Sequence, residues 1–254
     1  MTIPILRRRY HGGMTENATL HYIYDPLCGW CYAAAPLVEA AQAVSGLSIA
    51  LHAGGMMVGA QRQPVTPALR NYVMPHDRRI HALTGQPFGD AYFDGLLRDT
   101  TAVFDSEPPI TAILAAGAVQ AAPGTQEGLA LAMLKRIQRA HYVEGRRIAQ
   151  RPVLEALAAE LGIAPDAFSA AYEACAGAVT ARHIEDSRRL LGSLGGRGFP
   201  TFALEDGGRF TMLDFGQYLG QPAAWQAMLS QRLPVSDAAG AADSPVCGPD
   251  GCVL

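Results

Sequence analysis

At 254 residues, 49% of them hydrophobic and 17% charged, the chain has material for one large domain or for a small domain carrying an inserted one. A formal net charge of -3 leaves no electrostatic footprint for nucleic acid or an anionic membrane, and no apolar run approaches the ~20 residues needed to span a bilayer. The N-terminus lacks a secretory pattern, because Arg7, Arg8 and Arg9 are followed by Tyr10, His11 and two glycines instead of an apolar stretch. The expected location is therefore cytoplasmic, where a close cysteine pair is catalytic or metal-binding more often than structural.

Residues 1–17 read as a disordered leader, with Met14 an alternative start. Thr19 to Tyr24 is β-branched and aromatic and makes a short strand, which Asp25-Pro26 ends. Apolar and alanine positions then recur at helical spacing from Cys28 to about Val44, with Pro36 as an expected kink. Leu47 to Ala53 alternates as a second strand and closes at Gly54-Gly55. Strand, crossover helix and strand of this length make a βαβ unit with parallel pairing.

From about Val65 to Leu194 no strand is expected. Helices are predicted over 66–83, 89–99, 109–121, 126–142, 152–161, 165–176 and 178–194, with Pro109, Pro152 and Pro165 as first-turn residues and Gly162 and Gly195 as terminators. Strand character returns at Phe199 to Leu204, turns through Glu205-Asp206-Gly207-Gly208, and runs back over Arg209 to Leu213 as a hairpin. A last amphipathic helix covers 222–232. Beyond Pro234 the chain is rich in Ser, Asp, Ala and Gly, a flexible tail that ends in CGPDGCVL.

This order predicts an α/β architecture: a thioredoxin fold with a large all-helical insertion between the N-terminal βαβ unit and the C-terminal β-hairpin and helix. The thioredoxin-like parts are 18–64 and 195–233, the insertion is 65–194, and the tail is 234–254.

Five cysteines fall as two close pairs, Cys28/Cys31 and Cys247/Cys252, plus Cys175. By spacing alone, Cys28-Gly29-Trp30-Cys31 is a redox pair, half of a zinc site or a packed pair; its place between a strand and a helix in a βαβ unit selects the redox pair. The thiolate is the nucleophile in disulfide exchange, and unpaired N–H groups and the dipole at a helix start favour that anion. Cys28, at or beside the N-cap, is thus the expected attacker, and Cys31, about one turn on, the resolving thiol. Asp25 would oppose ionisation of Cys28 if its carboxylate lies close. Gly29-Trp30 contains neither proline nor histidine, so oxidant, reductant and isomerase all stay open.

The stretch Tyr24-Asp25-Pro26-Leu27-Cys28-Gly29-Trp30-Cys31-Tyr32, the Gly198-Phe199-Pro200-Thr201-Phe202 segment and the terminal Cys247-x4-Cys252 resemble the DsbA family of thiol–disulfide oxidoreductases, in its FrnE-like cytoplasmic branch. The likeness in layout runs from about residue 18 over most of the chain. It implies a cis bond before Pro200, facing the CxxC pair, with backbone beside it available to an extended substrate and Phe199 next to Cys28. Trp30, Phe199 and Met56-Met57 would then offer apolar surface to unfolded or mis-oxidised proteins.

Pro249, Asp250 and Gly251 form a turn that would bring Cys247 and Cys252 into bonding range. The linker of about 13 residues from Pro234 would span roughly 20 Å, and that reach suits an auxiliary redox pair passing electrons to or from Cys28/Cys31, with an inert tail pair and metal binding as the alternatives. Cys175, on an alanine-rich helix, reads as a buried small hydrophobe. No histidine falls at ligand spacing with a carboxylate or second histidine; His52 and His183 read as structural or surface residues.

The expected activity is exchange of disulfides with protein substrates by a monomer or homodimer. No metal and no cofactor are expected beyond the redox-active disulfide, with glutathione or the thioredoxin system as electron partner. The alternatives are a glutathione-dependent isomerase or transferase of the kappa/2-hydroxychromene-2-carboxylate isomerase type, and a zinc module built from the four paired cysteines. The first is disfavoured because those enzymes usually carry serine where Cys28 stands.

Overall fold

Strand β1 (Ala18–Tyr24) is buried along almost its whole length, as a strand covered on both faces must be. In this computed structural model, residues 18–121 and 128–233 are described. The expected leader and the tail with Cys247 and Cys252 lie outside them. Helix α1 (Gly29–Gln42) follows, with Cys28 as its N-cap at φ -86°, ψ 115°. It leads to β2 (Leu47–Ala53), which pairs parallel to β1 in the register Tyr22 to Leu51.

The chain next makes a two-residue strand β3 (Gln63–Pro64) and helix α2 (Pro67–Thr84), whose N-cap Thr66 accepts from the Leu69 N–H. A second two-residue strand, β4 (Val103–Phe104), pairs antiparallel with β3. The expectation of no strand between 65 and 194 is therefore corrected: two residues are too few for a period of two to register in the sequence. The expected helix over 89–99 is corrected as well. It is a π-turn over Ala91–Gly95 followed by a 3₁₀ turn over Leu96–Arg98. The segment is held close to its neighbours: a β-carbon on Gly89 would strike the carbonyl of Val143, and one on Gly145 the carbonyl of Ala91.

Five further helices complete the middle: α3 (Glu107–Gln120), α4 (Leu129–Tyr142), α5 (Arg151–Glu160), α6 (Pro165–Cys175) and α7 (Ala178–Ser193). Helix α3 buries residues on nearly all sides, among them Ile110, Ala112, Ile113, Ala115 and Ala116, because α4, α6 and α7 surround it. Each fully buried leucine or isoleucine of this kind contributes about 1.5–3 kcal/mol.

After the helices, β5 (Thr201–Asp206) pairs antiparallel with β1, and β6 (Arg209–Leu213) antiparallel with β5. Gly207 and Gly208, both at positive φ, make the hairpin turn. The main sheet has the order β2-β1-β5-β6, and helix α8 (Pro222–Arg232) packs beside α1. Trp225 of α8 meets Phe202 of β5 edge-on at 5.3 Å, and Phe202 stacks on Tyr22 of β1 at 4.7 Å. On the other side, α7 lies against β2. A βαβ unit, a run of helices and a hairpin–helix closure make a thioredoxin-like fold with a helical insertion. Among the described residues, no helix is long and apolar enough to cross a membrane.

Candidate active site

Three chain segments converge on the start of α1. The first is the turn Asp25–Cys28, in which the Cys28 N–H donates to the Asp25 carbonyl at 3.1 Å. It places Cys28 at the N-cap and Cys31 one turn inside, with Cys28 7% exposed and Cys31 fully buried. Both thiols are free. The Cys28 sulfur makes no regular capping hydrogen bond. The Cys31 thiol and the N–H groups of Cys31 and Trp30 nevertheless hold its pKa below the ordinary thiol value, against the opposing pull of burial and of Asp25. Burial, and the charge of a Cys28 thiolate, push Cys31 far above that value. The Asp25 N–H donates to the Cys31 sulfur at 3.5 Å, and the Tyr22 hydroxyl to the Cys31 carbonyl at 3.1 Å.

The second segment precedes β5. The Phe199–Pro200 bond is cis, and the Phe199 carbonyl accepts from the Cys28 thiol at 3.5 Å. Pro200 is buried and Phe199 half-buried. Trp30 is half-buried, with the Arg79 guanidinium 5.8 Å from its ring centroid.

The third segment is the turn after β2. Asp25 is fully buried, and its carboxylate accepts from the Leu27 N–H at 2.8 Å, from the Ser106 hydroxyl at 3.0 Å and from the Met56 N–H. Burial raises its pKa, while these donors and the Arg188 charge pull it back. Its charge in turn raises the pKa of Cys28. Met56 is exposed and Met57 half-buried.

A second buried acid adjoins the pair. Asp77 of α2 accepts from the Tyr92 hydroxyl at 3.0 Å, and burial raises its pKa to about 7. Nothing in the sequence marked it. Ser106 and Arg188 were missed too, since each meets its partner from more than 80 residues away.

The sheet makes one histidine contact that sequence spacing does not show. His21 of β1 lies 2.9 Å from His52 of β2 through ring nitrogens, and 2.9 Å from the Glu205 carboxylate of β5. Strands distant in sequence but adjacent in the sheet bring these together. The His183 ring nitrogen accepts from the Ala53 N–H at 3.0 Å, a structural role. Cys175 is buried. Among the described residues, no group of three or more His, Cys, Asp or Glu is placed to hold a metal ion; the four-cysteine zinc alternative requires Cys247 and Cys252, outside those residues.

A low-pKa cysteine at a helix start, a buried partner thiol one turn on and the carbonyl before a cis-proline against the first sulfur define a thioredoxin-fold thiol–disulfide oxidoreductase. The family model of the DSBA-like thioredoxin domain matches residues 19–218, and the chain belongs to that family. It is 61% identical to a solved structure of the cytosolic disulfide reductase DsbM from Pseudomonas aeruginosa, covering 84% of this chain and 97% of that one at a TM-score of 0.77. A structure of the Pseudomonas aeruginosa protein with glutathione (GSH) matches at 59% identity, 84% and 98% coverage and a TM-score of 0.75. A 2-hydroxychromene-2-carboxylate isomerase, 17% identical over 84% of this chain and 97% of that one at a TM-score of 0.51, shares the fold alone. A search of the curated proteins returns no match.

Proposed function

We propose that this protein is a cytoplasmic disulfide reductase that acts on mis-oxidised protein thiols and draws its electrons from glutathione. The Cys28 thiolate attacks a substrate disulfide, forming a mixed disulfide and releasing the first substrate thiolate, which takes up a proton. The Cys31 thiol then loses its proton and attacks the Cys28 sulfur. The second substrate thiol leaves and the Cys28–Cys31 disulfide remains. One glutathione thiolate opens that bond as a mixed disulfide with Cys28, and a second releases oxidised glutathione and restores both thiols.

The observation that carries the reading is the low-pKa Cys28 thiol at 3.5 Å from the carbonyl before cis-Pro200. The backbone beside Pro200 would align an extended substrate strand, with Phe199 and Trp30 as its apolar rim. Asp25 works against the Cys28 thiolate without outweighing the donors that hold its pKa below the ordinary value, so the direction is supported by the likeness to a cytosolic disulfide reductase. The cytosolic relative with glutathione bound supports both the compartment and the donor. The thioredoxin-like unit is taken as 18–64 with 195–233, and the insertion as 65–194.

The test couples reduction of a disulfide-bonded protein such as insulin to glutathione, glutathione reductase and NADPH. Activity should vanish in Cys28→Ser, and Cys31→Ser should accumulate a mixed disulfide with substrate. No glutathione-dependent turnover by the wild-type protein would remove the reading.

A further inference from the structure

Helix α7 grips the end of β2 at consecutive residues. His183 accepts from the Ala53 N–H, and the Arg188 guanidinium donates from Nε to the Gly54 carbonyl at 2.7 Å and from Nη2 to the Gly55 carbonyl. Both Arg188 bonds go to neutral carbonyls, so the guanidinium charge is not consumed by a carboxylate at those atoms. The next residue, Met56, donates the N–H that holds Asp25, and Gly54 itself lies under the Phe199 ring. One arginine thus anchors the turn that supports both the buried acid and the residue before the cis-proline.

We propose that Arg188 is a positioning residue for thiol exchange: it fixes the Gly54–Gly55 turn to α7, and through the Met56 N–H on that turn it holds the Asp25 carboxylate in place beside Cys28 and Cys31. A planar fork suits two adjacent carbonyls better than an ammonium would. The last helix of the insertion thereby helps to set the charge environment of the reactive pair. The groups that face Asp25 are Tyr24 from β1, Cys28 and Cys31 from α1, the Ser106 hydroxyl ahead of α3 and Arg188 from α7. Arg188 is the cation among them, and its charge favours ionised Asp25.

The inference rests on Cys28 and Cys31 being the exchanging pair, but its test needs no turnover. The rate of Cys28 alkylation by iodoacetamide is followed against pH in the full-length reduced protein, with Cys31→Ser, Cys175→Ser, Cys247→Ser and Cys252→Ser so that one thiol reports. The Asp25 titration appears as an inflection that is lost in Asp25→Asn. Arg188→Ala should move that inflection upward by about 0.5–1 pH unit, the scale of one nearby charge. Arg188→Lys, which keeps the charge, should restore it at least in part. If Arg188→Ala fails to fold by circular dichroism, Arg188→Gln, which retains a carbonyl-directed donor but no charge, should show the same upward move. An unmoved inflection in these variants, or an equal change in rate in the Asp25→Asn background, overturns the proposal. Loss of insulin reduction with an unmoved alkylation profile would count against it in the same way, while an absence of reduction in the wild type would bear on the proposed function alone.

Discussion

The Phe199 ring occupies the space that a β-carbon on residue 54 would need. Gly54 is buried at the end of β2, and the ring before the cis bond rests directly on its α-carbon. Even one methyl there has to lift the ring, and with it the Phe199 carbonyl that faces Cys28. Gly54→Ala should therefore reduce glutathione-coupled disulfide reduction by about 10-fold or more, with an overpacking cost of about 1–3 kcal/mol in thermal or denaturant unfolding. A Gly54→Ala enzyme with wild-type kcat/KM would show that the placement of Phe199 does not matter to exchange.

Asp25 gives a prediction with a defined sign. Its negative charge raises the pKa of Cys28, so Asp25→Asn should lower the midpoint of Cys28 alkylation by about 0.5–1 pH unit, moving the couple about 15–30 mV toward oxidant. The same change replaces an acceptor of three donors by an amide that cannot accept all of them, costing about 1–3 kcal/mol of stability. Equilibration against glutathione buffers reads the first effect and urea unfolding the second. An unchanged potential would mean that Asp25 is held neutral over the range of the titration.

Asp77 makes stability depend on pH. Its pKa in the fold, about 7, lies above the ordinary 3.8, so the folded protein binds its proton more tightly than the unfolded chain does. The carboxyl then costs nothing below about pH 4, costs progressively more from there to pH 7, and reaches up to about 4 kcal/mol above it. Asparagine keeps an acceptor for the Tyr92 hydroxyl without the charge. Asp77→Asn should melt several degrees above wild type at pH 8, and the gap should close as the pH falls toward 4.5. A gap that stays constant with pH would exclude ionisation of Asp77 as its source.

The broad layout was legible because it rests on local signals. The βαβ unit follows from Thr19 to Ala53, the hairpin from Gly207-Gly208, and three helix starts from Pro109, Pro152 and Pro165, each in the first turn of its helix. Cys28 and Cys31 were legible because their spacing and their place at a helix start are both local. What surrounds them was not. Ser106 reaches Asp25 across 81 residues and Arg188 reaches Gly54 across 134, and neither distance leaves a trace in periodicity. The His21–His52 contact needed the β1–β2 register, and β4 was too short to show one. The turns over 91–98 mimic helical spacing, and the close approach of Gly89 and Gly145 to the carbonyls of Val143 and Ala91 is a tertiary feature that periodicity does not carry.

Gly29, the first of the two residues between the cysteines, is constrained from α2. A β-carbon there would lie 3.0 Å from Oδ1 of Asp77 and 3.1 Å from Cδ1 of Ile80. The Asp77 carboxyl is fixed by the Tyr92 hydroxyl, so it has little freedom to retreat, whereas the isoleucine methyl is the end of a side chain that can turn. Gly29→Ala gains helix propensity, since the residue opens α1, yet it presses on the less yielding of the two neighbours. The net expectation is a loss of about 1 kcal/mol, growing with size in Gly29→Val. The cause can be isolated by a double-mutant cycle: in an Asp77→Ala background the Gly29→Ala penalty should shrink or reverse, giving a coupling of about 0.5–1 kcal/mol between residues on different helices. Additive effects in urea unfolding would show that α2 leaves the residue between the cysteines free to vary.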